Sequence, residues 1–310
     1  MKQTCFERAV FFSWYCKIRD CKFCYMSTQP EKTKKIARRS VESILAEVIL
    51  TKKLGWEFGF FSGGIGAFSE VDFRKLLEFV FKVYGKKIWI NIGPLTKEQL
   101  EGYKLFIKGV VGSIETVNKK IHDKVCPSKP MEPYFKMFEE AEKLNLKRAM
   151  TIILGLGETI DDFDNLCEVI DRYGITKIHF YGLNPQKGTI FENSKPPSSE
   201  YQAEWIKKIR EKYPEMDIQF GIWLDRADRV AQMLEAGANS VSKFPALRYF
   251  GSKQAKEIEK QAEKAGFNFR GTLTKLPNVD WYREVDKLDL DDDLKIKIKE
   301  KLNLYLKKMA

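Results

Sequence analysis

Short runs of apolar, β-branched or aromatic residues recur along the chain and predict β-strands. Eight such runs are present: Ala9–Trp14, Phe58–Ser62, Lys87–Ile92, Leu105–Ile114, Ala149–Leu154, Lys177–Leu183, Asp217–Leu224 and Ser240–Phe244. The runs are apolar on both faces, as strands of a parallel sheet are when helices cover both of its sides. Their starts lie about 33 residues apart, close to the roughly 31 residues per unit of a 250-residue (β/α)₈ barrel.

Between these runs, apolar residues recur every three to four positions, which predicts amphipathic helices. In Val41–Leu54 this spacing is followed closely, and Ser40 is a suitable N-cap. The same period predicts further helices at Glu70–Tyr84, Glu132–Leu144, Thr159–Tyr173, Ser199–Tyr213, Arg226–Ala236 and Ser252–Ala265. Strands that alternate with helices indicate a parallel sheet with right-handed crossovers. We therefore predict an α/β fold, a (β/α)₈ TIM-type barrel.

The pattern changes after Gly271. Thr272–Val279 has the composition of a loop, Leu288–Asp293 is acidic, and Leu294–Met309 predicts a Lys-rich amphipathic helix. We therefore expect two regions: a barrel over residues 1–271 and a C-terminal helical tail over residues 272–310, packed on the barrel.

Composition narrows the class of protein. Hydrophobic residues make up 44% of the 310 positions, enough for a large core, and no stretch approaches a membrane-spanning run. Met1–Arg8 lacks the features of a signal peptide, so we expect a cytoplasmic protein. The 54 Lys+Arg against 43 Asp+Glu give +11. That charge fits either attraction of nucleic acid or an anionic substrate, or a well-solvated surface; its even spread along the chain favours the surface.

Three of the six cysteines lie within nine residues, which indicates metal binding rather than disulfides in a cytoplasmic chain. Cys16, Cys21 and Cys24 have the spacing C-x₄-C-x₂-C. Three thiolates on one loop can bind three irons of a 4Fe–4S cluster and leave the fourth iron open. A structural zinc site is the alternative, with His122 or His179 as a fourth ligand brought close by the fold, and unligated buried cysteines are a third possibility.

A cysteine loop directly after the first strand resembles the radical S-adenosylmethionine (SAM) superfamily. In that family the open iron binds the amino and carboxylate groups of SAM. One electron from the cluster then releases a 5′-deoxyadenosyl radical. The resemblance implies an enzyme with a 4Fe–4S cluster and SAM as cofactors, held by Cys16, Cys21 and Cys24, with Phe23 beside the adenine. The spacing exceeds the family's common C-x₃-C-x₂-C by one residue.

Other segments are similar to the subgroup that contains biotin synthase and the hydrogenase maturase HydE. They are Ser62-Gly63-Gly64, Gly112-Ser113-Ile114-Glu115-Thr116, Leu154-Gly155-Leu156-Gly157-Glu158-Thr159, Asn184-Pro185 and Ala236-Gly237-Ala238-Asn239. The resemblance covers roughly residues 5–270. It implies that Ser62, Gly63 and Gly64 bind the methionine amino group through the backbone. It also implies that Ser113 and Glu115 contact the ribose and amino group, and that Asn184, as the polar residue of the sixth strand exit, lies near the adenine.

The sequence departs from this subgroup in two respects. Tyr134 stands where the subgroup has an arginine for the methionine carboxylate, and Lys136 could replace that arginine if the local alignment shifts. The remaining cysteines, Cys5, Cys126 and Cys167, offer no convincing set for an auxiliary sulfur-donating cluster. Sulfur insertion is therefore not expected.

Two residues are predicted to take part in catalysis. Glu115 is a charge at the C-terminal end of a barrel strand, where this fold places active sites, although it could also be a solvated strand end. His179 lies inside the sixth strand, where it either points towards substrate or is a satisfied core histidine. We expect His122 on the surface, and Glu158 either in the turn before a helix or at the substrate.

Within the subgroup, the segments Ser13–Cys16 and Cys24–Gln29 are most similar to the HmdB (HcgA) family, which is tied to biosynthesis of the iron-guanylylpyridinol cofactor of Fe-hydrogenase. The expected function is reductive cleavage of SAM to start radical chemistry on a small biosynthetic precursor. Expected partners are a small-molecule substrate and a low-potential electron donor such as ferredoxin or flavodoxin, with no membrane and no nucleic acid. The alternatives are a mutase or lyase resembling methylornithine synthase, and a metal-bearing nucleic-acid-binding protein.

Overall fold

A computed structural model describes residues 2–29 and 37–309. A small parallel sheet pairs β1 (Lys2–Cys5) with β10 (Phe267–Arg270). The other strands form one parallel sheet in sequence order: β2 (Glu7–Phe11), β3 (Glu57–Ser62), β4 (Ile88–Asn91), β5 (Ile107–Glu115), β6 (Lys147–Leu154), β7 (Lys177–Gly182), β8 (Asp217–Gly221) and β9 (Ser240–Ser242). A parallel bridge between Phe6 and Val241 joins the two edges of this sheet. The predicted (β/α)₈ barrel is confirmed.

Helices surround the barrel. They are α1 (Val41–Lys53), α2 (Glu70–Tyr84), α3 (Lys97–Tyr103), α4 (Lys119–Val125), α5 (Glu132–Lys143), α6 (Phe163–Tyr173), α7 (Ser199–Lys212), α8 (Val230–Glu235), α9 (Lys253–Lys264), α10 (Trp281–Asp286) and α11 (Asp292–Met309). Ser69 caps α2 by accepting the Asp72 amide, whereas Ser40 stands at the N-cap of α1 without such a bond. No helix in residues 2–29 and 37–309 is long and apolar enough to cross a membrane.

Several short elements lie outside the sequence prediction. The helices α3, α4 and α10 have seven residues or fewer, too few for a clear apolar period. The predicted helix Arg226–Ala236 is a 3₁₀ segment, Leu224–Arg229, followed by α8. The strands β1 and β10 contain four residues each, and their pairing joins the two ends of the barrel region. Pairing over such a sequence distance leaves no local pattern.

The inside of the barrel is polar at its N-terminal end. Glu7 accepts hydrogen bonds from Lys177 at 2.7 Å, Ser240 at 2.5 Å and Gln219 at 2.6 Å, and all four residues are buried. The expectation that the strands are apolar on both faces is therefore wrong for β7 and β8. Buried charges require partners, and this network supplies them. Because Glu7 and Lys177 each begin a strand, the network fills the end opposite to the one where barrel enzymes place their sites.

The C-terminal helix α11 packs against α1. Ile298, Leu302 and Met309 are its buried apolar residues, and Tyr305 accepts a hydrogen bond from Arg39 at 2.9 Å. Arg39 also pairs with Glu47, which is buried in α1. The helix is thus tied to the barrel by both apolar packing and a charged network. The division of the chain into residues 1–271 and 272–310 stays a prediction.

Candidate active site

The loop with the three cysteines follows β2 and lies over the C-terminal ends of the strands. The Lys17 amide donates to the Ile65 carbonyl at 2.9 Å, just beyond β3. The Lys22 amide donates to the Val125 carbonyl at 2.8 Å, at the end of α4. The two bonds fasten the loop to two different strand exits. Its cysteines are therefore held at the mouth of the barrel, where a barrel enzyme binds its ligands.

Glycines at the end of β3 let this loop come close. A Cβ atom on Gly64 would lie 1.9 Å from the Tyr15 carbonyl oxygen and 2.6 Å from the Cys16 Cβ. A Cβ atom on Gly63 would lie 2.2 Å from the ring of Phe12. No side chain fits at either position. The Gly-Gly pair therefore seats the cysteine loop, a structural role that was not part of the sequence prediction.

The donor set on this loop has the chemistry of an iron–sulfur ligand set. Cys16, Cys21 and Cys24 are free thiols, and the Cys24 amide donates to the Cys21 carbonyl at 3.1 Å, which closes a tight turn between them. Burial raises the pKa of Cys24 to about 11. Within residues 2–29 and 37–309, no three Cys, His, Asp or Glu side chains lie close enough together to hold a metal ion. Three thiols that leave one iron open fit a 4Fe–4S cluster better than a four-ligand zinc site.

A fourth cysteine lies beside the loop. Cys126, at the end of α4, is buried with Leu156 and Leu183, and Cys21 packs against this group. The interaction between the two thiols lowers the pKa of Cys21 and raises that of Cys126. This contact could not be predicted from the sequence, because it depends on where α4 ends relative to the loop.

Glu115 is held in an ion pair. It ends β5 with a φ of 69°, beyond a register shift that starts at Ser113, and such bulges often turn a side chain into a site. Its buried carboxylate accepts from Lys129 at 2.6 Å, and Lys129 also donates to the Ser113 carbonyl at 2.9 Å. Burial disfavours the charge of Lys129, but Glu115 outweighs it and holds the pKa of Lys129 well above its usual value. Glu115 is therefore not a solvated strand end.

Lys129 is the cation that the sequence prediction missed. Its Nζ lies 5.9 Å from the ring centre of Tyr134, the residue that stands in place of the expected arginine. Lys136, the predicted replacement, is exposed on α5. The positive charge near Glu115 thus comes from the loop before α5 and not from the helix itself.

The remaining predicted cofactor contact on β5 is Ser113. Its hydroxyl donates to Asn91 Oδ1 at 3.0 Å, which links the exits of β5 and β4. Asn91 was not predicted, although it also ends a barrel strand. Position at a strand exit could have identified it.

Both histidines are buried, His179 inside the predicted strand and His122 on a helix. His179 is fully buried on β7, and its ring stacks on Tyr181 at 6.1 Å between centres. Its Nδ1 is 3.3 Å from Thr151 Oγ1, and its Nε2 has no partner among the described residues. Burial and then the Lys177 charge hold the pKa of His179 well below its ordinary value. Along β7, His179 is the inward-facing residue that precedes Tyr181, so it lies further from the mouth of the barrel. Its catalytic role stays a prediction. His122 is buried on α4 and not on the surface, which corrects that expectation.

Glu158 belongs to the turn after β6. Its carboxylate accepts from the amides of Gly155 at 2.6 Å and Leu156 at 2.9 Å, and Tyr201 donates to it at 3.3 Å. Because these donors occupy both oxygens, the turn interpretation of Glu158 accounts for the side chain fully.

A cavity of about 400 Å³ opens beside the cysteine loop. Its wall contains Cys24, the predicted cofactor residues Phe23 and Asn184, and several residues that were not predicted, among them Tyr181, Trp223 and Lys243. The Asn184 side chain accepts from Arg226 at 3.3 Å, which fixes its orientation. The structure therefore brings the last cysteine of the loop and residues from β7 to β9 to one small-molecule-sized space.

Comparison with known families agrees with this geometry. Residues 13–170, about half of the chain, match the Radical SAM superfamily. The chain belongs to this superfamily. It is therefore an enzyme of a family that uses a 4Fe–4S cluster and SAM, as the sequence predicted. The zinc and nucleic-acid-binding alternatives receive no support.

Individual relatives add detail. An uncharacterised protein of Methanocaldococcus jannaschii is 40% identical over 273 residues, covering 87% of this chain and 75% of the relative. The 7,8-didemethyl-8-hydroxy-5-deazariboflavin synthase of Archaeoglobus fulgidus is 31% identical over 49% of this chain and 48% of its own length. A biotin synthase of Methanococcus maripaludis is 26% identical over 55% of this chain and 53% of its own length. The chain thus spans about half the length of the two synthases.

Two solved structures have the same fold. Methylornithine synthase superposes with a TM-score of 0.67 at 20% identity, over 78% of this chain and 72% of that one. The hydrogenase maturase HydG from Carboxydothermus hydrogenoformans superposes with a TM-score of 0.69 at 17% identity, over 99% and 78%. At these identities the likeness shows the barrel architecture and leaves the reaction open.

Proposed function

We propose that Cys16, Cys21 and Cys24 hold the 4Fe–4S cluster and that the enzyme cleaves SAM at the barrel mouth to start radical chemistry on a small biosynthetic precursor. One observation carries the proposal. The cysteine loop is seated on Gly64, and its last cysteine forms part of the wall of the 400 Å³ cavity. A reactive group on the loop would therefore face a space that is large enough for a small molecule.

Cys16, Cys21 and Cys24 would hold the cluster, which would supply the electron for the reductive cleavage of SAM. The chain's own residues orient the ligands and exclude water. Phe23 and Asn184 flank the cavity, where an aromatic ring and an amide suit the adenine. Glu115, fixed by Lys129, offers carboxylate oxygens to the ribose or amino group of SAM. Tyr181 closes the cavity from below, and it is itself held by a 2.6 Å bond to Gln219.

We propose further that the precursor belongs to the biosynthesis of the iron-guanylylpyridinol cofactor. The support is the similarity of the segments Ser13–Cys16 and Cys24–Gln29 to the HmdB family. Deleting the gene in a host that depends on Fe-hydrogenase tests this. The hydrogenase protein should be present without its iron cofactor. A deletion strain with fully active hydrogenase contradicts the pathway while leaving the radical chemistry untouched.

The chemistry itself is tested by anaerobic reconstitution. The protein should bind about four irons per chain, as one 4Fe–4S cluster requires, and should be brown. With dithionite in place of the physiological low-potential electron donor, it should release 5′-deoxyadenosine from SAM. A colourless protein that contains one zinc per chain would overturn the proposal.

A further inference from the structure

Lys243 is a cation on the cavity wall. It follows β9 at the C-terminal end of the barrel and has a left-handed φ of 68°. Its side chain is half-buried and forms part of the wall that contains Cys24. Within residues 2–29 and 37–309, it makes neither a side-chain hydrogen bond nor an ion pair. The described residues therefore supply no partner for this charge, and the ammonium group is available to a ligand in the cavity.

Aromatic rings surround the ammonium group. Its Nζ lies 4.4 Å from the ring centre of Tyr181 and 5.3 Å from those of Phe11 and Phe60. Ring faces attract a cation but accept no strong hydrogen bond and carry no negative charge. The Tyr181 hydroxyl is already bonded to Gln219. Since none of the described residues accepts a hydrogen bond from Lys243, its three N–H donors can bind a ligand in the cavity.

The charge persists at neutral pH. Burial lowers the pKa of Lys243 to about 8, although Glu115 and Cys24 oppose this effect from a distance. At pH 7 most molecules still carry the ammonium ion. The surrounding wall is largely apolar, with Phe23, Leu183 and Trp223. A positive charge in such a wall complements a single negative group on an otherwise apolar molecule.

We propose that Lys243 binds a carboxylate of the substrate, so that the substrate of this enzyme is a small carboxylic acid. This inference rests on the proposed function, since it takes the part of the cavity at Tyr181 and Lys243 as the substrate's and leaves the part at Phe23 and Asn184 to the adenine. A carboxylate is favoured over a phosphate, because one lysine is the only cation lining this cavity among the described residues, and phosphates are usually held by several donors or by an arginine fork. The nearby Arg226 is occupied by Asp225, Asn184 and the Leu183 carbonyl.

Benzoate and benzamide, which have nearly the same shape but differ in charge, test whether Lys243 binds a carboxylate. Benzoate, benzamide and inorganic phosphate are titrated calorimetrically into the reconstituted enzyme. Benzoate should bind the wild type roughly tenfold to a hundredfold more tightly than benzamide, and more tightly than phosphate. Lys243→Met and Lys243→Gln should abolish this preference with iron content intact, and Lys243→Arg should retain it. Lys253→Met, which changes an exposed lysine of α9, should behave as the wild type does.

Several results would overturn the proposal. Equal binding of benzoate and benzamide to the wild type would contradict a carboxylate as the group that Lys243 binds. Phosphate binding that is tighter than benzoate binding would contradict it as well. A loss of SAM affinity in Lys243→Met as large as the loss for benzoate assigns the lysine to the cofactor instead. These outcomes leave cluster loading and 5′-deoxyadenosine formation by the wild type intact. Failure of the proposed function would instead appear as a wild type without iron, whatever its preference for benzoate.

Discussion

Gly64 and Tyr15 lie so close together that a methyl group on Gly64 would meet the Tyr15 carbonyl oxygen at 1.9 Å. This contact sets where the cysteine loop begins, because Cys16 is the next residue. The glycine thus links the exit of β3 to the ligand loop after β2. Its substitution is a test of the loop's position that alters no ligand.

We expect Gly64→Ala to lose most of its cluster on reconstitution, because a clash with backbone atoms cannot be relieved by a side-chain rotation. Iron and sulfide content per chain measure this. Gly102→Ala is the matched control, since a Cβ at Gly102 meets nothing within 4 Å and alanine favours the helix α3. Full cluster loading in Gly64→Ala would show that the loop can bind the cluster in another position.

We expect Cys16→Ala, Cys21→Ala and Cys24→Ala each to abolish cluster loading, whereas Cys5→Ala and Cys167→Ala should not. Cys5 and Cys167 are buried elsewhere, at the end of β1 and within α6. Iron content and the visible spectrum of each reconstituted variant decide the assignment. Loss of the cluster in either control would mean that the ligand set is different.

Cys126 provides a further test of which cysteines bind the cluster. Its thiol contacts Cys21, so it could serve as a fourth ligand or merely as a neighbour. We expect Cys126→Ala to retain about four irons and to bind SAM, because an open iron is what SAM requires. A variant that binds SAM only after Cys126 is removed would identify Cys126 as a ligand that competes with the cofactor.

We expect Glu115→Gln to weaken SAM binding by roughly tenfold to a hundredfold with iron content intact, because a hydrogen bond to a charged ligand is lost. The variant should also be less stable by ~3–5 kcal/mol, because Lys129 is left buried without its partner. The double variant Glu115→Gln/Lys129→Met separates the two effects. It should recover stability but not SAM affinity. Recovery of affinity would restrict Glu115 to a structural role.

The sequence predicted the barrel well because each strand of its eight-stranded sheet overlaps a local apolar run. The bounds of β3 and α2, for example, follow directly from composition and period. The site was predicted less completely. Lys129 and Lys243 are two among 54 Lys+Arg, so their residue type does not distinguish them. Only the fold shows that Lys129 is paired, whereas Lys243 has no ion pair with the residues that the structure describes. Its position at a strand exit, directly after Ser242, is the sequence feature that could have identified Lys243 as a candidate site residue.

The buried pair of Glu7 and Lys177 makes the barrel sensitive to acid. Burial alone would raise the pKa of Glu7, but Lys177, at 2.7 Å, lowers it from 4.5 to about 2. A carboxylate whose pKa is lowered by folding stabilises the folded state at any pH above the pKa that it has in the unfolded chain. For Glu7 this stabilisation is lost as the pH falls from about 4.5 towards 2. We expect the free energy of unfolding, measured by urea denaturation, to decrease over this range.

Replacing the lysine should reverse this dependence. In Lys177→Met the burial of Glu7 is no longer opposed, so its pKa should lie above 4.5, and the variant should be less stable by ~3–5 kcal/mol at pH 7. The difference from the wild type should then shrink as the pH falls, because a protonated Glu7 needs no cation. Lys119→Met is the control, since Lys119 pairs with Asp123 at 2.8 Å on the surface. Exposed pairs contribute little, so this variant should unfold at the same urea concentration as the wild type at every pH. A gap for Lys177→Met that stays constant between pH 7 and 3 would mean that the lysine stabilises the barrel through packing and not through Glu7.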